Sequence, residues 1–193
     1  RVLLGADRLL NVRGSVSWLG HEHGFGTTFE PDAHTTAFAE AALSGTHSQH
    51  TWVVGTALQF ERYTTETASP FDYTYAVPGV FAQDEFVPAD WLTLALSARL
   101  DHHSEYGTHV NPRASVLLRS AAEWTVRASA GTGFFAPPPW TEETEAVGLS
   151  RLRPLQLGAE RARSASLDVS RTFGPIELNA TAFASAIVEP VQA

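Results

Sequence analysis

The sequence predicts an all-β protein, an antiparallel up-and-down β-barrel whose strands cross a membrane. Apolar and polar residues alternate with a period of two through most of the chain, as they do in strands with one dry and one wet face. Many of these runs exceed the five or six residues of a typical soluble strand and reach the roughly 9–11 residues that a tilted membrane strand requires. Short and long connections also alternate, which indicates a barrel with tight turns at one end and long loops at the other.

The first 66 residues of the chain contain four of the ten strands that we predict. The first strand is weakly defined, because its residues do not alternate clearly. In the second strand Val12, Val16 and Trp18 share one face, and in the fourth Trp52 and Phe60 do so. The predicted ranges are about 1–6, 11–20, 35–45 and 51–66.

The remaining six strands alternate most regularly. At 92–101 the leucines Leu94, Leu96 and Leu100 fall on one face, and Arg99 and Asp101 fall on the other. The ranges are about 79–88, 91–104, 112–120, 124–134, 162–172 and 176–188.

The connections between these strands predict which end of the barrel faces outwards. Tight links rich in Gly and Pro are expected at about 7–10, 46–50, 89–90, 121–123 and 173–175. Longer links are expected at about 21–34, 67–78, 105–111 and 135–161. Outer-membrane barrels have short periplasmic turns and long extracellular loops, whereas a β-sandwich has no reason to sort its loops in this way. We therefore expect the long loops to be extracellular.

Composition excludes several functional classes. A net charge of −8 argues against a nucleic-acid-binding surface, and the absence of Cys excludes disulfides and cysteine-based zinc sites. No apolar run approaches the length of a transmembrane helix. Ser, His and Asp are present without the spacing of a catalytic constellation. We predict no enzymatic activity, no cofactor and no resident metal.

Four ordered motifs from residue 78 onwards resemble the barrel of TonB-dependent receptors. The resemblance covers about 78–193, while residues 1–77 fit by pattern alone. Ala98, Leu100 and Ala159 depart from the residues usual in the family. The motifs are PGVFAQDEFVPADW at 78–91 with LTLALSARLD at 92–101, VNPRASV at 110–116, VRASAGTGFFAP at 126–137, and LGAE at 157–160 with the strands of 161–191.

The resemblance implies a barrel of about 22 strands, so residues 1–193 would be a partial barrel domain of about ten strands. The plug domain and the remaining strands are expected to lie outside this chain. The resemblance also implies that the full-length protein is a monomer in the lipid of a Gram-negative outer membrane. It would take up a scarce small molecule such as a ferric siderophore, haem, cobalamin or a glycan, energised by TonB through the plug.

Two alternatives remain open at the level of the sequence. A passive porin-like channel would share the strand pattern but have no plug. A soluble β-sandwich or β-solenoid binding module would bury the apolar strand faces against each other and would be a folded monomer without detergent.

Histidines near the long-loop end are the candidate ligand-binding residues. His21 and His23 would point to the same face of a strand, as the ligands of a metal or haem must, and His102 with His103 forms a second pair. We hypothesise that these four residues capture a metal, haem or metal chelate at the barrel mouth. The alternative is that they are ordinary polar loop residues.

Charged residues on the wet faces are predicted to line the lumen. Arg99, Asp101, Arg113 and Arg127 would either form salt bridges with a plug or remain solvated. The loop predicted at 135–161, which carries Trp140, could close over a ligand or form surface that faces lipopolysaccharide.

Overall fold

The computed structural model describes residues 1–5, 7–140, 148–149, 152–154 and 157–188 and contains one sheet of ten strands. Each strand pairs antiparallel with the next strand in sequence, so the predicted all-β, up-and-down architecture is confirmed. A short 3-10 helix, Ser69–Phe71, follows the fourth strand. The strands are β1 Val2–Leu3, β2 Arg8–Phe25, β3 Thr28–His47, β4 His50–Thr65, β5 Tyr73–Ala89, β6 Leu92–His103, β7 Gly107–Arg119, β8 Trp124–Phe135, β9 Glu160–Phe173 and β10 Ile176–Val188.

None of the helices in these described ranges is long and apolar enough to cross a membrane.

The sheet is open and curved. Among the residues that the structure describes, β1 and β10 do not pair with each other. Ser15 on β2 and Phe135 on β8 nevertheless line the same cavity, so the sheet curls enough to bring distant strands towards each other. The concave side is called the inner face below, and the convex side the outer face.

Two connections that were predicted to be long are tight turns. Strands β2 and β3 extend through the predicted loop 21–34 and join at residues 26–27, and β6 joins β7 at 104–106 rather than through 105–111. Gly26 has a φ of 69°, which suits the first central position of a two-residue hairpin turn. The prediction that short and long connections alternate along the chain is therefore wrong.

The ends of the sheet still differ. The longer connections, 66–72 and 136–159, leave from the same end as the turns at 26–27 and 104–106, and this end is called the loop end. The opposite turn end has the connections 4–7, 48–49, 90–91, 120–123 and 174–175.

The pairing register separates an apolar outer face from a polar inner face. Arg99 lies opposite Phe81 and Asn111 on the inner face, while Leu100 lies opposite Val80 and Val110 on the outer face. A soluble monomer rarely exposes a broad apolar surface, so the outer face fits contact with lipid. Its exposed side chains include Val16, Trp18, Leu94, Leu96, Leu100 and Val110.

A buried apolar cluster lies at the loop end rather than between two layers. Its members are Tyr63 on β4, Tyr73 on β5, Ala68 and Phe71 in the connection 66–72, and Leu149 in the connection 136–159, which is called the long loop below. The partly buried rings of Tyr75 and Trp140 pack against this cluster. Both longer connections therefore fold onto the sheet.

Candidate ligand-binding site on the inner face

The inner face lines a partly open cavity of about 610 Å³. Small-molecule sites commonly have volumes of about 300–1,000 Å³ and combine aromatic walls with a few polar groups. This cavity fits that description, and we take it as the candidate ligand-binding site. Its lining includes Phe38, Glu61, Tyr75, Arg99, Asp101 and His103.

An ion pair within β6 forms part of the cavity wall. Arg99 Nε lies 2.8 Å from each carboxylate oxygen of Asp101, and a terminal guanidinium nitrogen lies 2.7 Å from Oδ1. The Asp101 side chain is only 5% exposed, whereas that of Arg99 is 32% exposed. The guanidinium also lies 5.8 Å from the ring centroid of Phe81. Arg99 is therefore oriented by a buried carboxylate while it still reaches the cavity.

Gly79 provides the space that Asp101 occupies. The two residues are direct cross-strand partners, and a Cβ atom added at Gly79 would collide with Asp101 Oδ1. We expect Gly79→Ala to lower the free energy of unfolding by about 1–3 kcal/mol through overpacking. Urea-dependent unfolding of the full-length protein in detergent micelles measures this change. Gly133→Ala is the matched control because no atom lies within 4 Å of its added Cβ. Equal losses in both variants would contradict a specific role for Gly79.

The four charged residues predicted to line the lumen all lie on the inner face. Arg113 pairs with Ser97 and Gly131, and Arg127 pairs with Leu117 and Asp168. Arg99 and Asp101 contact each other, whereas Arg113 and Arg127 lie further along the sheet. Their contact with a plug stays a prediction.

A row of aromatic rings crosses the inner face at the loop end. The row was not predicted from the sequence, although the alternating Tyr73 and Tyr75 are a visible signal that both rings share one face. Neighbouring ring centroids lie 4.5–5.8 Å apart, the range in which aromatic pairs attract. The row, called the aromatic row below, comprises Trp140, Tyr63, Tyr73, Tyr75, His103 and Tyr106.

Glu61 links the aromatic row to a histidine. Its Oε1 accepts a hydrogen bond from the Tyr73 hydroxyl at 2.5 Å and lies 2.9 Å from His34 Nε2. The carboxylate is partly exposed and lines the cavity. It therefore orients two neighbouring side chains and still presents negative charge to a ligand.

Backbone groups orient His103 and Tyr106 at the other end of the aromatic row. His103 Nδ1 accepts hydrogen bonds from the backbone N–H groups of Glu105 and Tyr106, at 3.2 and 3.3 Å. This leaves the proton of a neutral imidazole on Nε2. The Tyr106 hydroxyl donates to the Pro137 carbonyl at 2.7 Å, and burial raises the pKa of this phenol. Tyr106 is therefore a neutral donor that attaches the long loop to the β6–β7 turn.

The four histidines proposed as ligands do not form one cluster. His21 and His23 share the inner face and both approach Asp32 on β3. His103 lies in the aromatic row, but His102 points to the outer face, where its Nδ1 lies 2.9 Å from Thr108 Oγ1. Adjacent strand residues point to opposite faces, so His102 and His103 lie on different faces of β6, and their role in ligand binding stays a prediction.

The long loop returns to the β2–β3 hairpin. The Leu149 backbone N–H donates a 2.9 Å hydrogen bond to Glu30 Oε2, and the Leu149 side chain is buried in the apolar cluster. Gly148 adopts a φ of 88° beside Glu30 and Phe25. The acidic run of this loop, residues 142–145, lies outside the described residues. The described part of the loop covers one side of the inner face.

Sequence comparison identifies related proteins. The model of the family described as TonB-dependent receptor-like β-barrel matches residues 5–186. An iron-regulated outer membrane virulence protein of Vibrio cholerae serotype O1 is 39% identical over 57 residues, which are 30% of this chain and 9% of the relative. The chain thus spans a small part of that relative's length.

Solved structures share the fold at low sequence identity. The FrpB iron transporter of Neisseria meningitidis has a TM-score of 0.76 at 14% identity, covering 95% of this chain and 35% of its own. The siderophore receptor PirA of Pseudomonas aeruginosa has a TM-score of 0.66 at 15% identity, covering 91% and 39%. The ferric yersiniabactin uptake receptor FyuA of Yersinia pestis has a TM-score of 0.66 at 14% identity, covering 95% and 34%.

These structures are each about three times as long as the segment that they share with the chain, and at such identities they establish the fold alone. The family model, in contrast, matches nearly the whole sequence. The chain therefore belongs to the TonB-dependent receptor-like β-barrel family.

Proposed function

We propose that this chain forms part of the wall of an outer-membrane receptor for TonB-energised uptake of a scarce nutrient. A ferric siderophore is the first candidate, and haem, cobalamin and glycans are the others. The observation that carries the proposal is the inner-face cavity of about 610 Å³ beside the aromatic row. The names of the relatives support iron uptake, since one is iron-regulated, one is a siderophore receptor and one is a ferric yersiniabactin uptake receptor.

The chemistry of the cavity wall favours an anionic chelate with aromatic groups. Tyr75 offers a ring for stacking, and Arg99 offers guanidinium N–H groups beyond those that face Asp101. Arginine donors bind carboxylates and other planar anions in bidentate geometry. Glu61 and Asp101 would disfavour ligands that present further anionic groups to this side of the cavity.

The proposed mechanism is conformational, and the wall performs no bond chemistry. In a Gram-negative outer membrane the loop end would face outwards and admit the ligand, while the apolar outer face contacts lipid. Arg113 and Arg127 share the inner face and would contact the plug, whose displacement by TonB opens the path. The receptor is proposed to act as a monomer and without nucleic acid.

A transport assay tests this proposal against a passive channel. Cells that express the full-length protein as their sole receptor would be given ⁵⁵Fe-labelled catecholate and hydroxamate chelates, haemin, and labelled cobalamin. We expect accumulation of at least one of these compounds, abolished by deletion of tonB. Accumulation that persists without TonB would instead support the porin-like alternative.

We expect Tyr75→Ala to weaken binding of the transported chelate roughly three- to tenfold, because an aromatic contact contributes about 0.5–1.5 kcal/mol. Equilibrium binding to the purified full-length protein measures the change. Tyr75→Phe keeps the ring and is expected to bind like the wild type. Unchanged affinity in Tyr75→Ala would place the ligand elsewhere, even if TonB-dependent uptake had been observed.

A further inference from the structure

We propose that His21, His23 and Asp32 bind a divalent transition-metal ion of the Zn²⁺ class. All three lie on the inner face near the tip of the β2–β3 hairpin, where His21 is the cross-strand partner of Asp32. One ligand atom from each residue lies within 4.8 Å of the others. This site takes a free cation, so it goes beyond the proposed uptake of a chelate or other nutrient.

The carboxylate of Asp32 is the central member of this site. His21 Nδ1 lies 3.2 Å from Oδ1, and His23 Nε2 lies 3.0 Å from Oδ2. Because Oδ1 and Oδ2 face different imidazoles, the two rings converge on one carboxylate from neighbouring positions of β2. In a tetrahedral site with bonds of 2.0–2.2 Å, ligand atoms lie about 3.3–3.6 Å apart, slightly more than these two distances.

Burial indicates that Asp32 benefits from a cation. Its side chain is only 3% exposed, whereas those of His21 and His23 are 50% and 33% exposed. No hydrogen bond of good geometry reaches Asp32 Oδ2 among the described residues. An ionised carboxylate removed from water requires hydrogen bonds, an opposite charge or a metal. The site thus combines a buried anion with two solvent-accessible imidazoles.

The ligand set determines the class of metal. Two imidazoles and one carboxylate suit Zn²⁺ and neighbouring transition metals, while Ca²⁺ and Mg²⁺ prefer oxygen ligands. Three protein ligands leave at least one coordination position for water or an external group. Glu30 also lies on this face, but it accepts the Leu149 N–H and is not counted as a ligand.

The hairpin is long enough to hold this site away from the lipid. Strand β2 has 18 residues and β3 has 20, whereas a tilted membrane strand needs about 9–11. The three ligands lie in the half of the hairpin next to the 26–27 turn. A metal ion could therefore reach them from water.

Isothermal titration of the full-length, metal-free protein with Zn²⁺ tests the proposal. We expect one site in the wild type and at least tenfold weaker binding in each of His21→Ala, His23→Ala and Asp32→Asn, since even outer-sphere partners contribute 10–100-fold to metal affinity. His50→Ala is the matched control. His50 Nδ1 lies 2.7 Å from Asp84 Oδ2 at the turn end, and among the described residues this pair is not part of a group of three metal-ligating side chains.

Co²⁺ provides a readout that does not depend on affinity alone. We expect its visible absorption bands to indicate bound nitrogen ligands in the wild type and in His50→Ala, and to change in the three site variants.

Retained heat-modifiable migration in gels would show that the variants are folded. Equal Zn²⁺ binding by the wild type and all three site variants would overturn the proposal, and so would loss of binding only in His50→Ala. None of these outcomes depends on chelate uptake, so the two proposals can fail separately.

Discussion

Replacing Arg99 with Ala is expected to lower the free energy of unfolding by about 3 kcal/mol, because it leaves a buried carboxylate without its counter-ion. Asp101 contacts Arg99 through both oxygens, and its side chain is almost completely buried. The value lies at the lower end of the range for buried pairs, since about a third of Arg99 remains exposed and is screened by water. Urea-dependent unfolding of the full-length protein in lipid vesicles measures the loss.

Two further variants separate the ion pair from the arginine itself. The double variant Arg99→Ala with Asp101→Ala removes both charges, so it is expected to be more stable than Arg99→Ala alone. Arg113→Ala removes an arginine from the same face, for which the described residues include no ion pair, and is expected to have little effect. If the double variant were less stable than Arg99→Ala, the unpaired carboxylate could not be the cause of the loss.

Replacing Leu96 with Arg is expected to make folding into a bilayer less favourable by about 2–4 kcal/mol, the cost of a cationic side chain near the bilayer midplane on the lipid face of a barrel. Leu96 lies in the middle of β6 on the outer face and is 65% exposed. Folding of the full-length protein into phospholipid vesicles at increasing urea concentrations measures the change.

The neighbouring residue provides the control for this experiment. Ala95 lies on the inner face of the same strand, opposite Glu85 and Ser115. Ala95→Arg is expected to be tolerated because the inner face is polar and Glu85 offers a counter-charge. Similar losses in Leu96→Arg and Ala95→Arg would show that the outer face does not contact lipid, which would contradict the membrane orientation.

The alternation of residue types predicted most of the sheet. In β6 a period of two separates Leu94, Leu96 and Leu100 from Arg99 and Asp101, and the structure pairs these sets on opposite faces. Alternation is informative there because lipid on one side and a polar interior on the other select opposite chemistry at successive positions.

The same reasoning explains why residues 21–34, at the tip of the β2–β3 hairpin, were predicted to be a loop. His21, Glu22 and His23 are polar on both faces of the strand. If this part of the hairpin extends beyond the lipid, water lies on both sides and nothing selects for alternation. Only the pairing with β3, formed through the turn at Gly26, shows that these residues are strand.

The candidate sites were predictable in part. The wet-face pattern predicted Arg99 and Asp101 as lumen residues, and the spacing of His21 and His23 predicted a shared face. Asp32 was missed as their neighbour because the intervening segment was assigned to a loop rather than to a hairpin that aligns it with His21.

The sequence alone determined the strand order and which side chains share a face, because both follow from local alternation and short connections. Only the tertiary structure decided the curvature that brings Ser15 and Phe135 to the lining of the same cavity. It likewise decided the hydrogen bond from the Leu149 N–H to Glu30. It also decided that Asp32 joins His21 and His23. These contacts depend on strand register and on residues distant in sequence, and the local pattern of residue types contains neither.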